Sequence, residues 1–174
     1  MSGWAGGAAM KRRRDNVQHI VGVADMKVVK DPEDVLITYS LGSCLGVSVY
    51  DPECRVGGLV HTMLPLSRDD RKKAKENPYM YTDTGVSALL KEVYRLGGRR
   101  KNLVLKVAGG ASMFNDNGRF RIGERNFTVL RKILWKNEII IKNKEVGGTI
   151  PRTMVLYLDS GKTCIKSQGE EREL

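Results

Sequence analysis

A thiol and an imidazole within reach of one another are enough to begin acyl-transfer chemistry. This chain offers one such pairing: Cys44, preceded by Leu41-Gly42-Ser43, and His61, followed by Thr62-Met63-Leu64-Pro65. A free thiol, with a pKa near ~8.5, is mostly protonated at neutral pH, so a nucleophilic cysteine needs a partner that favours the thiolate. An imidazolium within hydrogen-bond reach does this, and later returns a proton to the leaving group. The imidazole needs a third group to hold its ring. The Thr38 hydroxyl, at the end of the segment leading into Cys44, fits as an acceptor for the second ring nitrogen, and a backbone carbonyl would serve as well. Gly42 and Ser43 permit a sharp corner before the nucleophile. Backbone N–H groups there, that of Cys44 included, would then receive a developing oxyanion. These residue types specify acyl transfer but not the acyl group, and they leave open a structural cysteine and histidine on a packed hairpin.

Bringing the two together requires a folded-back ribbon. Residues 45–50 and 56–60 read as the arms of a β-hairpin turning at Asp51-Pro52-Glu53, so a thiol at the start of one arm meets an imidazole at the far end of the other. Upstream, residues 18–24, 25–30 and 35–38 read as strands, with a turn at Lys30-Asp31-Pro32-Glu33-Asp34. Residues 68–76 are charged without apolar periodicity and read as an exposed loop. A helix over 82–96, N-capped by Thr82, carries Val86, Leu89, Leu90, Val93 and Leu96 at helical spacing and stops at Gly97-Gly98.

A strand over 102–107 runs into Ala108-Gly109-Gly110-Ala111-Ser112-Met113-Phe114. There Gly109, Gly110, Ser112 and Phe114 are candidates for contact with a substrate or partner, against the alternative of a tight turn under a sheet. A second helix opens at Ile122-Gly123-Glu124 and ends near Asn137. Strands follow over 139–144, 153–158 and 163–167, the last two flanking Asp159-Ser160-Gly161. The expectation is an α+β fold: one layered domain with a mixed, largely antiparallel β core of roughly eight or nine strands and two long helices. Residues 1–16 read as a basic flexible tail, 17–168 as the domain, and 169–174 as a charged, frayed tail.

At 174 residues, 41% hydrophobic and 29% charged, the chain has the make-up of a globular domain. No apolar run approaches the ~20 residues of a membrane span. Gly and Ala at the N-terminus lead directly into Lys11-Arg12-Arg13-Arg14, the reverse of secretory order, so a cytoplasmic protein without membrane insertion is expected. Three cysteines without CxxC spacing and two distant histidines suggest neither a disulfide framework nor a metal site. Cys54 and Cys164 read as small buried hydrophobes and His19 as structural. A net charge of +10 implies an acidic partner. With 6% aromatic residues and no basic–aromatic interleaving, only charge favours a nucleic acid, and none is expected.

Thr38 with Leu41-Gly42-Ser43-Cys44, the Tyr50-Asp51-Pro52 turn, and Gly57-Gly58 through His61-Thr62-Met63-Leu64-Pro65 together resemble the CheD family of chemoreceptor glutamine deamidases. The likeness continues through Gly109-Gly110-Ala111-Ser112-Met113-Phe114, Ile122-Gly123-Glu124-Arg125-Asn126, and Gly147-Gly148 with Arg152. In that order the motifs span most of residues 18–167. The resemblance implies a Cys–His–Thr catalytic set carried onto Cys44, His61 and Thr38, and a fold similar to the catalytic domains of deamidating toxins. It implies action on glutamines of the cytoplasmic helices of methyl-accepting chemotaxis receptors, through a cysteine thioester and with no cofactor. It also implies association with a CheC-type phosphatase; a catalytically idle adaptor for that phosphatase is the alternative.

Overall fold

The computed structural model describes residues 16–112 and 121–174. In chain order its main elements are β1 (Val17–Ile20), β2 (Asp25–Val29), β3 (Asp34–Leu41), β4 (Leu45–Asp51), β5 (Val56–Thr62), α1 (Arg71–Glu76), α2 (Thr82–Arg95) and β6 (Val104–Gly109). Then come α3 (Ile122–Lys136), β7 (Ile141–Val146), β8 (Arg152–Tyr157), β9 (Thr163–Ser167) and β10 (Glu170–Glu173). One sheet has the order β1-β3-β8-β9-β10 and the other β2-β5-β4-β6-β7. Among the strand pairs of the described residues, β1 with β3 and β6 with β7 run parallel and the rest antiparallel. The expected α+β class, with a mixed and largely antiparallel β core and two long helices, is what the chain adopts.

The β4–β5 hairpin forms with Tyr50 opposite Gly57 and Leu45 opposite Thr62. Its Asp51 carboxylate accepts from the N–H groups of Glu53 and Cys54, which sets the turn. Strand alternation then sorts the hairpin's side chains between two layers. Val47, Val49, Val56 and Val60 join Val86, Leu89, Leu90 and Val93 of α2 and Leu130 and Leu134 of α3 in one cluster. Tyr50 and Leu59 face the other sheet, where they join Leu36, Leu41, Met154, Leu156 and Ile165. The architecture is therefore sheet on sheet, with the two long helices covering the far face of the second sheet.

Several local expectations differ from what forms. Within residues 68–76, α1 forms although none of its residues is buried; Asp70 caps it by accepting from the Lys73 N–H. Thr82 is the first residue of α2 rather than its cap, and its side chain makes no cap hydrogen bond. Residues 169–174, read as a frayed tail, form β10, which pairs antiparallel with β9; Arg172 also binds Glu145. Backbone pairing does not require apolar alternation, and an all-charged segment hides it. The basic residues 11–14 lie outside the described residues.

Candidate functional site

Three elements converge at the open end of the β4–β5 hairpin. β5 delivers His61, which lies opposite Gly46 in the ladder and is 1% exposed. β3 from the facing sheet delivers Thr38, wholly buried, and Thr38 Oγ1 lies 2.7 Å from His61 Nδ1. The remaining ring nitrogen, His61 Nε2, is buried and has no hydrogen-bond partner among the described residues. In the tautomer with its hydrogen on Nδ1, that nitrogen donates to the Thr38 hydroxyl and Nε2 carries a lone pair. Burial pulls the His61 pKa from 6.5 down to about 4, so the ring is neutral at physiological pH.

Cys44 sits one residue outside the ladder, just before Leu45. It is half-buried and packs against the cluster between the sheets, the layer that also holds the His61 ring. Gly46, the next residue of that parity, is the direct cross-strand neighbour of His61. Cys44 and His61 are thus diagonal neighbours across the hairpin, a relation that places Cα atoms ~7–8 Å apart. Burial pushes the Cys44 thiol up from 9.0, with its own backbone N–H partly opposing the shift. The resting site is therefore a neutral thiol and a neutral imidazole, not the thiolate–imidazolium pair that the residue types suggest.

The corner before Cys44 follows an irregularity in β3, where the register with β8 shifts between Thr38 and Leu41 and Ser40 takes φ +55°. Gly42 N–H donates to Ser40 O at 2.9 Å, so the Gly42 amide is committed internally. Of the corner amides expected to receive an oxyanion, that leaves those of Ser43 and Cys44. The carbonyls of this corner are held from outside: Gly110 N–H donates to Cys44 O, and Ala111 N–H to Gly42 O, each at 2.8 Å. Gly109 has φ +108°, and a Cβ there would lie 2.1 Å from Cys44 O, so only glycine fits.

Ser112 N–H donates to Gly148 O, and Gly147 N–H to Gly109 O. The glycine-rich segment thus clasps the cysteine corner on one side and the late Gly147-Gly148 element on the other. Arg152 completes the clasp, with Nε on Glu145 at 2.8 Å and Nη2 on Gly147 O at 2.8 Å. Phe114, proposed with that segment, lies outside the described residues.

The other singled-out residues stay apart from this site. His19 Nε2 lies 2.8 Å from Asp34 Oδ1. Cys54 donates to Gly97 O, and Cys164 is buried. Among the described residues no three His, Cys, Asp or Glu side chains gather as a metal would require. No helix among them is long and apolar enough to cross a membrane. A groove of about 470 Å³ between α3 and the segment after β5 is bordered by Pro65, Leu66, Arg68, Arg121 and Arg125.

One residue the sequence reading did not single out is buried at the heart of the arrangement. Asn126 of α3 is 0% exposed and donates to Ser43 O at 3.0 Å and Met63 O at 2.9 Å. The signal was there: Gly123, Asn126, Leu130 and Leu134 form the buried stripe of α3, and an amide in such a stripe needs partners.

Residues 63–167, more than half of the chain, match the family described as CheD chemotactic sensory transduction. A protein of Solibacter usitatus named "Probable chemoreceptor glutamine deamidase CheD" is 48% identical over 157 residues, covering 90% of this chain and 93% of that one. One of Syntrophus aciditrophicus, named "Probable chemoreceptor glutamine deamidase CheD 1", is 45% identical over 150 residues, covering 86% and 94%. The crystal structure of the Bacillus licheniformis hypothetical protein YfiH aligns with a TM-score of 0.44 at 12% identity, covering 78% of this chain and 60% of that one, a likeness too slight to build on.

Proposed function

The chain belongs to the CheD family, and from that premise we propose that it deamidates glutamine side chains of chemotaxis receptors to glutamate, with Cys44 as nucleophile, His61 as proton carrier and Thr38 as the group that orients the ring. The observation that carries the residue assignment is the 2.7 Å contact between Thr38 Oγ1 and His61 Nδ1, which leaves a buried and unpartnered Nε2 in the layer that also holds Cys44.

In this mechanism the neutral Cys44 thiol attacks the glutamine δ-carbonyl carbon while His61 Nε2 takes its proton. The carbonyl π pair moves onto oxygen, and the resulting oxyanion is held by the amides of Ser43 and Cys44. Collapse breaks the C–N bond as the imidazolium protonates the departing nitrogen, releasing ammonia and a γ-glutamyl thioester. His61 then deprotonates water, which adds to the thioester; the C–S bond breaks, and the thiol and a glutamate side chain are regenerated. Every step uses groups of this chain, the substrate and water. Arg68, Arg121, Arg125 and Lys132 line the groove beside the strand end that follows His61, together with Glu124. Although Arg121 pairs with Glu124 and Arg68 and Arg125 share Asp69, the excess of positive charge favours a receptor helix bearing acidic side chains as occupant.

The reading places the protein in the cytoplasm, where the receptor helices are, and includes a CheC-type phosphatase as a second partner, which a pull-down with that phosphatase tests. It retains the likeness to the catalytic domains of deamidating toxins, which a superposition of the two tests. Activity is tested by mass spectrometry of receptor cytoplasmic fragments after incubation. Wild type should produce the mass gain of an amide-to-acid exchange at selected glutamines, and Cys44→Ala should not. Identical spectra from the two would sink the enzymatic reading and leave the idle adaptor standing.

A further inference from the structure

The β4–β5 ladder closes at the Leu45–Thr62 rung, so Cys44 and Met63 are the first residues past the last pairing. A hairpin's open end is where strands splay, yet here it must hold two reacting groups at fixed separation. One side chain spans it. The Asn126 amide nitrogen has two N–H donors, and they go to Ser43 O and Met63 O, one on each arm. Flipping the amide would set its oxygen against both carbonyls, so the orientation is fixed.

The rest of the network follows from counting hydrogens. Asn126 Oδ1 accepts from Thr82 Oγ1 at 3.2 Å, which uses the only hydroxyl hydrogen of Thr82. Thr82 Oγ1 must then accept from Thr62 Oγ1, 2.9 Å away. Thr62, Thr82 and Asn126 are all 0% exposed, and every polar hydrogen among their side chains is used. The donor direction therefore runs from Thr62 through Thr82 to Asn126 and out to the two carbonyls. Asparagine is a poor residue for a helix interior, and three desolvated polar groups are costly unless fully paired. Strand alternation puts this network on the helix side of β5 at Thr62, while its neighbour His61 points to the opposite side, between the sheets.

We propose that Asn126, backed by Thr82 and Thr62, is a positioning residue for the reaction: by gripping Ser43 O and Met63 O in one amide fork it sets the separation between the Cys44 sulfur and the His61 ring. It touches neither substrate nor reacting atoms. This inference rests on the Cys44–His61 reading above, because it concerns how that pair is held.

The test uses a small acyl donor, so that no receptor is needed. The rate of Cys44 acylation by p-nitrophenyl acetate at neutral pH is measured for wild type, His61→Ala, Asn126→Leu and the double variant, each at a temperature where circular dichroism shows it folded. Misplacing reacting groups by an ångström costs up to ~100-fold, so Asn126→Leu should slow acylation about tenfold or more. Because it acts through His61, it should add nothing further in the His61→Ala background. Thr82→Val should move the rate in the same direction by less, and Thr82→Ser, which keeps the hydroxyl, should restore it. Should Asn126→Leu fail to fold, the Thr82 pair carries the same comparison. If wild type acylates no faster than His61→Ala, the catalytic pair is wrong and this inference falls with it. If wild type is faster than His61→Ala but Asn126→Leu and Thr82→Val match wild type while melting lower, the network is structural only and the proposal is overturned.

Discussion

One buried imidazole should make a separable contribution to the acid sensitivity of this protein. His61 is 1% exposed, and its pKa drops from 6.5 to about 4 because burial disfavours the charged ring. Between those values the unfolded chain binds a proton at this position and the folded one does not, so stability falls as pH falls. The contribution is fully present above 6.5 and is lost progressively on the way down to about 4. At 1.36 kcal/mol for each tenfold difference, titrating from pH 7.5 to 4 costs the fold about 3 kcal/mol from His61 alone. For a domain of this size that is a fall of about 6–12 °C in melting temperature. The assay is urea unfolding at half-unit pH steps on wild type and His61→Leu. The leucine variant loses the Thr38 contact by a pH-independent amount, while every other titrating group is common to both. The stability difference should therefore change by about 3 kcal/mol over the range in favour of the leucine variant at low pH. Parallel curves, with the difference constant to within about 1 kcal/mol, would refute the reasoning, because the ring would then accept a proton without cost in the fold.

Other perturbations test the frame around the pair. Gly109→Ala puts a Cβ at 2.1 Å from Cys44 O on a backbone with φ +108°; a loss of more than about 2 kcal/mol by urea unfolding is expected, with deamidation abolished. Arg152→Ala takes one partner from Gly147 O and one from Glu145, which keeps Arg172, and should cost about 1–3 kcal/mol in the same assay. Burial opposes the charge on Asp51, but the N–H groups of Arg99, Cys54 and Glu53 win and hold its carboxyl below the usual range. Asp51→Ala should then lose about 1–3 kcal/mol at neutral pH, and the loss should shrink as acid protonates the wild-type carboxylate. Arg125→Glu, in the groove beside the site, should raise KM for a receptor fragment severalfold while leaving kcat within twofold of wild type, measured by ammonia release at low salt.

The hairpin was legible because its two signals agree: turn chemistry at Asp51-Pro52 and apolar arms of matching length leave one register. Helix α2 was equally legible from Val86, Leu89, Leu90 and Val93, with its stop at Gly97. What escaped were features whose cause is tertiary. Thr82 looks like a cap because a hydroxyl at a helix start usually caps; only the packing of α2 against β5 turns it toward Thr62. The Glu170–Glu173 strand is invisible to hydropathy because backbone pairing and the Arg172–Glu145 contact hold it. The parallel partnership of β1 with β3 is a matter of sheet order that no local pattern encodes. At the site, residue types pointed to Cys44, His61 and Thr38, but the protonation state depends on burial, which the residue types do not contain.

In the proposed reaction that state decides how the chemistry must run. Burial pushes the Cys44 thiol up from 9.0 and draws the His61 imidazole down to about 4, so both shifts favour the uncharged forms. In the proposed reaction the proton therefore stays on sulfur until a carbonyl carbon is there to be attacked. An ion pair would tolerate slack, because Coulomb attraction decays slowly with distance. Proton transfer during attack does not, since it needs the sulfur and Nε2 at hydrogen-bond contact. A neutral resting pair therefore places a stricter demand on geometry than a preformed thiolate would. That demand is what the proposed grip of the fully satisfied Thr62–Thr82–Asn126 network, and the Gly109–Gly110 clasp beside it, would serve.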